Sequence, residues 1–243
     1  MAFPTIQTAD TKNGVQTSNS TSWTITYPTN IASGDLLLLF VGYDGSGLPS
    51  ASGWTVMRRP GAAASCAAIG RIADGTETGT FTLTMPNEMG GWRVFRITGW
   101  FGSGLSTDAA GGNDGDGVAA ASGNTGSPST TPDPPSLDPT NWATEDTLWF
   151  ATCGVDTSRT ISAYPYADNN SADVSGGAGG ATLGVCTTTS AVSSLDPGTF
   201  TISNSDDWVA ITVAVRPAAV GVPASLIYQP GLQVAIPRSL YVR

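Results

Sequence analysis

The sequence predicts an all-β fold, a jelly-roll-like two-sheet sandwich built from two similar halves with extended terminal arms. Apolar and polar residues alternate with a period of two, as in residues 80–85, and this alternation is typical of a half-buried strand. Turns rich in glycine, proline and aspartate separate the runs, and no stretch of a dozen residues has the apolar spacing of a helix. The same succession of short strings also occurs twice along the 243 residues.

The repeated strings form four blocks that follow one another in the same order in each half. The first block is an apolar run that ends in Gly-x-Asp, at 42–44 and again at 154–156. The other blocks pair 67–72 with 181–186, 79–84 with 198–203, and 92–97 with 208–213. Because the separation between partners is nearly constant, the sequence predicts a duplicated structure, for which a jelly roll of two Greek-key halves is the natural candidate.

The predicted organisation is a sandwich over 23–217 with halves at 23–101 and 141–217. A crossover rich in Gly, Pro and Ser joins them over 102–140, since that segment has almost no large apolar residues to bury. The run 36–41 is apolar at every position, which predicts a central strand that is covered on both faces. The halves are expected to pack face to face. Two small β domains joined by a linker are the alternative architecture.

The two terminal segments are predicted to be extended arms, a polar one over 1–22 and an apolar one over 218–243. The second has two arginines, no acidic residue, and three prolines that exclude a long helix. An apolar segment of this kind must cover either its own body or a neighbour, and addition to a neighbouring sheet edge is one known mode of binding. The candidate partner-binding residues are Leu226, Ile227, Tyr228, Leu232, Val234, Ile236, Arg238, Leu240, Tyr241 and Arg243.

The composition excludes several classes of chemistry. The chain has no histidine, so it contains neither Ser-His-Asp nor Cys-His catalysis and no histidine-ligated metal. Its net charge of −9 argues against nucleic acid, which requires a basic stripe. We expect no membrane segment and no signal peptide, and therefore synthesis in a cytoplasm. No cofactor is expected, and Cys66, Cys153 and Cys186 are expected to be buried free thiols.

Three groups of residues are candidates for chemistry, and each also has a structural interpretation. Segment 108–117 has calcium-ligand residue types but not the spacing of a known calcium loop, so we interpret it as a solvated loop. The pairs Asp44/Asp156 and Asp35/Asp146 have the residue types of a glycosidase, although their positions at strand ends favour turn capping. The tryptophans that could stack on sugar rings, although strand blocks favour a place in the core, are Trp54, Trp92, Trp100 and Trp142.

Four strings in the chain form a further pattern. They are Ile-Ala-Ser-Gly-Asp-Leu-Leu-Leu at 31–38, Ser-Gly-Trp at 52–54, the turn at 73–77 and the closing run 207–217. In these strings the chain resembles a widespread group of tailed-bacteriophage virion proteins, over roughly residues 20–217. The resemblance implies a jelly-roll protein that decorates the head or belongs to the tail. It transfers no functional residue, and it does not include the C-terminal arm.

The expected function is therefore structural and non-enzymatic. We expect a capsid decoration (cement) protein of the virion, a homo-oligomer such as a trimer, whose partners are the major capsid protein or other virion proteins. One alternative is a tail fibre, another tail-associated protein or a carbohydrate-binding module, which predicts exposed tryptophans. A hydrolase is the third possibility, and the absence of histidine and the scarcity of glutamate disfavour it.

Overall fold

The computed structural model describes residues 1–60, 64–107, 115–121, 125–177 and 179–219. Over these ranges the fold is all-β, with one short 3-10 helix at Thr8–Asp10 and no α-helix, and two six-stranded sheets form the two-sheet sandwich that the sequence predicts. None of the described residues forms a helix that could span a bilayer.

The first sheet comes from the first half of the chain. Its strands are β1 (Thr5–Ile6), β2 (Lys12–Thr26), β3 (Leu36–Asp44), β4 (Thr55–Arg58), β5 (Ala64–Ile72) and β6 (Thr80–Thr98). They are antiparallel in the order β1-β6-β3-β5-β4, and β2 also lies beside β6. The central strand β3 is buried at every position but its last, as its continuous apolar run predicts.

The second sheet repeats this arrangement. The remaining strands are β7 (Val118–Ala121), β8 (Thr125–Ser129), β9 (Glu145–Val155), β10 (Ile161–Ala163), β11 (Asp168–Val174), β12 (Thr182–Val192), β13 (Thr201–Ile202) and β14 (Asp206–Val215). The large sheet has the order β11-β12-β9-β14-β7 with β8 also beside β14, while β10 and β13 form a small sheet of their own. Strands β14, β9, β12 and β11 thus take the places of β6, β3, β5 and β4. Each large sheet draws its described strands from one continuous stretch of the chain, 5–98 or 118–215, whereas the strands of a jelly roll cross between its sheets.

A further string marks the duplication. Pro-Thr-Asn stands at 28–30, ahead of β3, and again at 139–141, ahead of β9. Both asparagines have a positive φ, 56° at Asn30 and 65° at Asn141. Asparagine tolerates this left-handed conformation better than other residues with a Cβ, so the same residue is used for the same turn in both halves.

The two large sheets pack face to face around one shared core. Phe40 and Phe95 of the first half meet Phe150 of the second, with ring centroids 5.3 and 5.2 Å from that of Phe150. The same cluster contains Leu38 on one side and Ile211 on the other. A core that both halves fill is that of a single sandwich rather than of two domains joined by a linker.

The outer face of each large sheet is also covered. Leu37 and Leu39 point away from the shared core and pack against Trp23 and Leu83. Trp23 lies near the C-terminal end of β2, and Leu83 lies near the N-terminal end of β6. In the second half, Phe200 and the small β10–β13 sheet cover the outer face of β9. This second layer explains why the central strands are apolar on both faces.

The predicted crossover is not simply a loop, and the predicted N-terminal arm is not free of the sandwich. The predicted crossover 102–140 contains β7 and β8, which form the edge beside β14. Their small side chains give no apolar alternation, so the sequence pattern did not indicate them. Within residues 1–22, β1 and the first part of β2 pair along β6, with Ile6 opposite Ile97, and the 3-10 helix lies between them. These residues are therefore part of the first sheet rather than a separate arm. Of the apolar arm, Ala218 and Ala219 lie within the described residues.

Candidate functional site

The two Gly-x-Asp strings meet at one end of the sandwich. A Cβ on Gly42 of β3 would lie 3.0 Å from the Leu183 Cβ on β12. A Cβ on Gly154 of β9 would collide with the Ser65 carbonyl oxygen on β5. At Gly154 this approach leaves no room for a side chain, and at Gly42 a Cβ would fit only if its neighbours shifted by a few tenths of an ångström. The repeated glycine therefore suits the close approach of the two sheets in both halves.

The aspartates two residues beyond these glycines come into contact. The side chain of Asp156 makes a hydrogen-bonding contact with that of Asp44, which requires a proton on one of the two carboxyl groups. One oxygen of Asp156, Oδ1, is buried without a hydrogen-bond partner among the described residues. Burial, followed by the contact with Asp44, raises the pKa of Asp156 to about 7.

More carboxyl groups surround this pair, which we call the aspartate pair. The charges of Asp206 and Asp207 also raise the pKa of Asp156. On the other side, burial and the charge of Asp44 raise the pKa of Glu88, whose side chain lies over Gly45. The environment of the aspartate pair is therefore acidic, and this favours retention of a proton.

The contact between the two aspartates does not suit glycoside hydrolysis. Glycosidases place their carboxyl groups about 5–9.5 Å apart, so that a sugar, with or without a water, fits between them. The side chains of Asp44 and Asp156 lie within hydrogen-bonding range of each other, which is closer than either arrangement. Neither of them is seen as the turn cap that we expected; they bond to each other instead.

The structure does not bring the second predicted pair together. Asp35 accepts a hydrogen bond from the backbone N–H of Ala32 at 2.8 Å, which confirms its role as a turn cap, and another from Arg96 at 2.6 Å. Asp146 lies 3.1 Å from the amino group of Met1. Asp35 and Asp146 are therefore held by separate partners.

Arginines brace the other buried carboxylates. Arg93 donates to both oxygens of Asp173, at 3.0 and 3.1 Å, and Arg96 binds Asp10 at 2.9 Å as well as Asp35. Among the described residues, further bridges to buried carboxylates join Arg71 with Glu77, Arg159 with Asp206, and Arg216 with Glu145. These groups hold turns and strand ends in place. The aspartate pair differs from them in that each carboxyl group has the other as a partner and the pKa of Asp156 is raised.

The tryptophans that were candidates for sugar stacking are part of the core. Trp54, Trp92, Trp100 and Trp142 are each 9% exposed or less. Trp100 donates to the Gly34 carbonyl at 2.8 Å, so its polar edge is used inside the protein. The structural interpretation of these residues is confirmed, as is that of the cysteines, which are all buried and free.

Two predicted sites lie wholly or largely outside the described residues. The candidate partner-binding residues Leu226, Ile227, Tyr228, Leu232, Val234, Ile236, Arg238, Leu240, Tyr241 and Arg243 lie beyond residue 219. The candidate calcium segment is described from Gly115 onward, where the Gly115 carbonyl accepts a hydrogen bond from Trp142 at 3.1 Å. The described residues contain no group of three or more side chains that could hold a metal ion.

The sequence predicted the two residues of the aspartate pair but not their contact. The repeat drew attention to Asp44 and Asp156, but a repeat does not show that its two copies touch. The glycine that precedes each aspartate was the available signal, since a repeated glycine in a buried strand marks a close backbone approach.

Comparison of the chain with protein-family models, with curated proteins and with solved structures finds no match.

Proposed function

We propose that the protein is a non-enzymatic structural protein of a bacteriophage virion: a capsid decoration (cement) protein that binds the outer shell and bridges neighbouring subunits. In this proposal the sandwich is the rigid body, and residues 218–243 attach it to its partner. The partner is the major capsid protein or another virion protein, and the chain forms homo-oligomers, of which a trimer is one arrangement.

The observation that carries the proposal is that the body already covers its own apolar sheet faces. Within the described ranges, the shared core fills the space between the large sheets and a further layer packs on each outer face. The sequence 218–243 is nevertheless rich in apolar residues and has no acidic residue. With the body's sheet faces occupied, such a segment is better suited to cover a neighbouring molecule.

The place where the chain enters this segment supports a mechanical role. The Ala218 N–H donates to the Gly99 carbonyl at 2.9 Å, and Trp100 and Pro217 form a backbone bridge. Just before this point, Arg216 binds both carboxylate oxygens of Glu145 at 2.6 and 2.7 Å. Because Gly99 follows β6 and Glu145 begins β9, a pull on the segment is passed to both large sheets.

Attachment of this kind would stabilise the shell in the same way that a ligand stabilises the state to which it binds. A protein that binds the assembled shell, and not its separated subunits, stabilises the assembled state by mass action. This role requires no catalytic group. It is compatible with a body whose buried carboxylates are held by arginines or by each other.

The experiment measures co-sedimentation of the purified chain with phage heads that lack it. The test variant changes Leu226, Ile227 and Leu240 to serine, and the matched control changes the polar neighbours Ser225 and Gln229 to alanine. We expect the wild type and the control to bind and the test variant to bind at least tenfold more weakly. Failure of the wild type to bind, or equal binding by the test variant, contradicts the proposal. Binding to tails instead of heads favours the tail-associated alternative.

A further inference from the structure

The aspartate pair lies close to two points where the backbones of the two halves approach each other. Gly42 of the first half is against Leu183 of the second, and Gly154 of the second is against Ser65 of the first. Asp44 and Asp156 stand two residues beyond these glycines, so their contact lies at the same end of the sandwich. It is the point at which a charge on either side chain acts on both halves together.

We propose that the aspartate pair is a proton-dependent latch between the halves: one shared proton holds this end of the sandwich closed, and its loss loosens it. Between two carboxyl groups, the proton on one donates a hydrogen bond to an oxygen of the other. Once that proton leaves, two negative charges remain in contact with no hydrogen bond between them, and repulsion replaces attraction. This device goes beyond the proposed function and does not depend on it.

The groups that face the aspartate pair strengthen this effect. Asp206 and Asp207 stand at the start of β14 and Glu88 lies within β6, so two strands place further carboxyl groups near the pair. Two guanidinium groups lie at the edge of this cluster of carboxyl groups. Arg159 is bound to Asp206 at 2.7 Å, and Arg59 donates to the Ser46 carbonyl at 3.0 Å, in the turn after Asp44.

The latch operates near neutral pH. Burial and the Asp44 contact raise the pKa of Asp156 from its ordinary value of 3.8 to about 7. A carboxyl group with a raised pKa in the folded state binds more protons there than in the unfolded state. Its contribution to stability is complete below the unfolded pKa and is lost as the pH rises through about 7.

The first test is urea denaturation between pH 5 and pH 9. The variants are Asp156→Asn, whose amide can donate to Asp44 without a titrating proton, and a matched control, Asp138→Asn, at an exposed aspartate in the segment before β9. We expect the unfolding equilibrium constant of the wild type to rise by roughly tenfold or more between pH 6 and pH 8.5. Asp138→Asn should follow the wild type. Asp156→Asn should show no such rise and should be more stable than the wild type at pH 8.5.

A second measurement locates the change. The thiol of Cys66 lies in the core shared by the halves, 3.6 Å from the Thr152 hydroxyl, whereas Cys153 lies in the outer core of the second half. Mass spectrometry after thiol labelling gives the ratio of Cys66 to Cys153 modification, which corrects for the greater reactivity of all thiols at high pH. We expect this ratio to rise severalfold between pH 6 and pH 8.5 in the wild type and to stay constant in Asp156→Asn.

Either of two results would overturn the proposal. In the first, the stability of the wild type does not change between pH 6 and pH 8.5. In the second, the stability of Asp156→Asn falls over this range as much as that of the wild type. If Asp156→Asn does not fold, Asp44→Asn takes its place with the same expectation. NMR titration of the wild-type carboxyl carbons provides a check that needs no variant: one aspartate should titrate near pH 7, and titration of every aspartate below about pH 5.5 rejects the latch.

Discussion

Arg93 on β6 donates to both carboxylate oxygens of Asp173 on β11, at 3.0 and 3.1 Å, and so ties the first half of the chain to the second. Asp173 is 4% exposed and also accepts a hydrogen bond from Asn13 at 2.7 Å. This bridge and the aspartate pair are two polar contacts between the same halves. One depends on a permanent cation and the other on a proton, so they should respond differently to pH.

Loss of the arginine should destabilise the protein strongly. Arg93→Met leaves the buried Asp173 carboxylate without its cation, and breaking such a pair costs about 3–5 kcal/mol. We expect a value near the lower end, because Asn13 still donates to Asp173. Urea denaturation measures it. The matched control is Arg93→Met combined with Asp173→Leu, which removes the buried charge and should be more stable than Arg93→Met alone; equal or lower stability would show that the charge is not the cause.

Addition of one methyl group at the contact between the sheets should also be costly. In Gly154→Ala the new Cβ collides with the Ser65 carbonyl, a backbone atom that cannot rotate away. Overpacking of this kind costs about 1–3 kcal/mol. Gly198→Ala is the control, because a Cβ there meets nothing within 4 Å. A thermal melt of each variant tests this, and a Gly154→Ala melting temperature equal to that of Gly198→Ala would contradict the close approach.

The left-handed turn before β9 makes a separate prediction. Asn141 has a φ of 65°, which alanine adopts at a cost of about 1–2 kcal/mol and glycine adopts freely. Asn141→Ala should therefore lower the free energy of unfolding by about 1 kcal/mol. Asn141→Gly should change it little. If both variants lose the same stability, the asparagine side chain matters more than the backbone conformation.

Stability should also fall at acidic pH, for the opposite reason to the latch. A hydrogen bond from Thr29, together with bonds from Arg96 and Asn30, holds the pKa of Asp10 below its usual value of 3.8. That contribution is complete above the unfolded pKa and is lost as the pH falls through the lowered folded value. Thr29→Val should reduce the stability at pH 6 and weaken the further loss on acidification. Thr80→Val, at an exposed threonine of β6, is the control.

The strands that the sequence predicted are those in which the pattern of apolar and polar side chains reflects which faces are buried. Residues 80–85 alternate because one face of the strand is covered, and Leu36–Val41 do not alternate because both faces are buried. Strands β7 and β8 have small side chains and pair through the backbone, so no periodicity revealed them. The string Pro-Thr-Asn at 139–141 was a usable signal, because its copy at 28–30 shows that the second half already begins within the supposed crossover.

The aspartate pair shows a different limit. The sequence placed Asp44 and Asp156 at equivalent points of a repeat, which is a statement about each half by itself. Whether equivalent points meet depends on the relative position of the two sheets, and that is decided by side chains spread over the whole shared core. Local patterns do not encode that position, although the repeated glycine indicated that something approaches there.

The division of the large sheets between the two halves has a consequence for assembly. Because each sheet is continuous in sequence, a chain cut between 108 and 114 would keep every strand pairing of β2 to β6 on one fragment and of β9 to β14 on the other. Neither fragment would need to borrow a strand. Mixing the two would require only that their exposed apolar faces dock, much as separate subunits do when they associate.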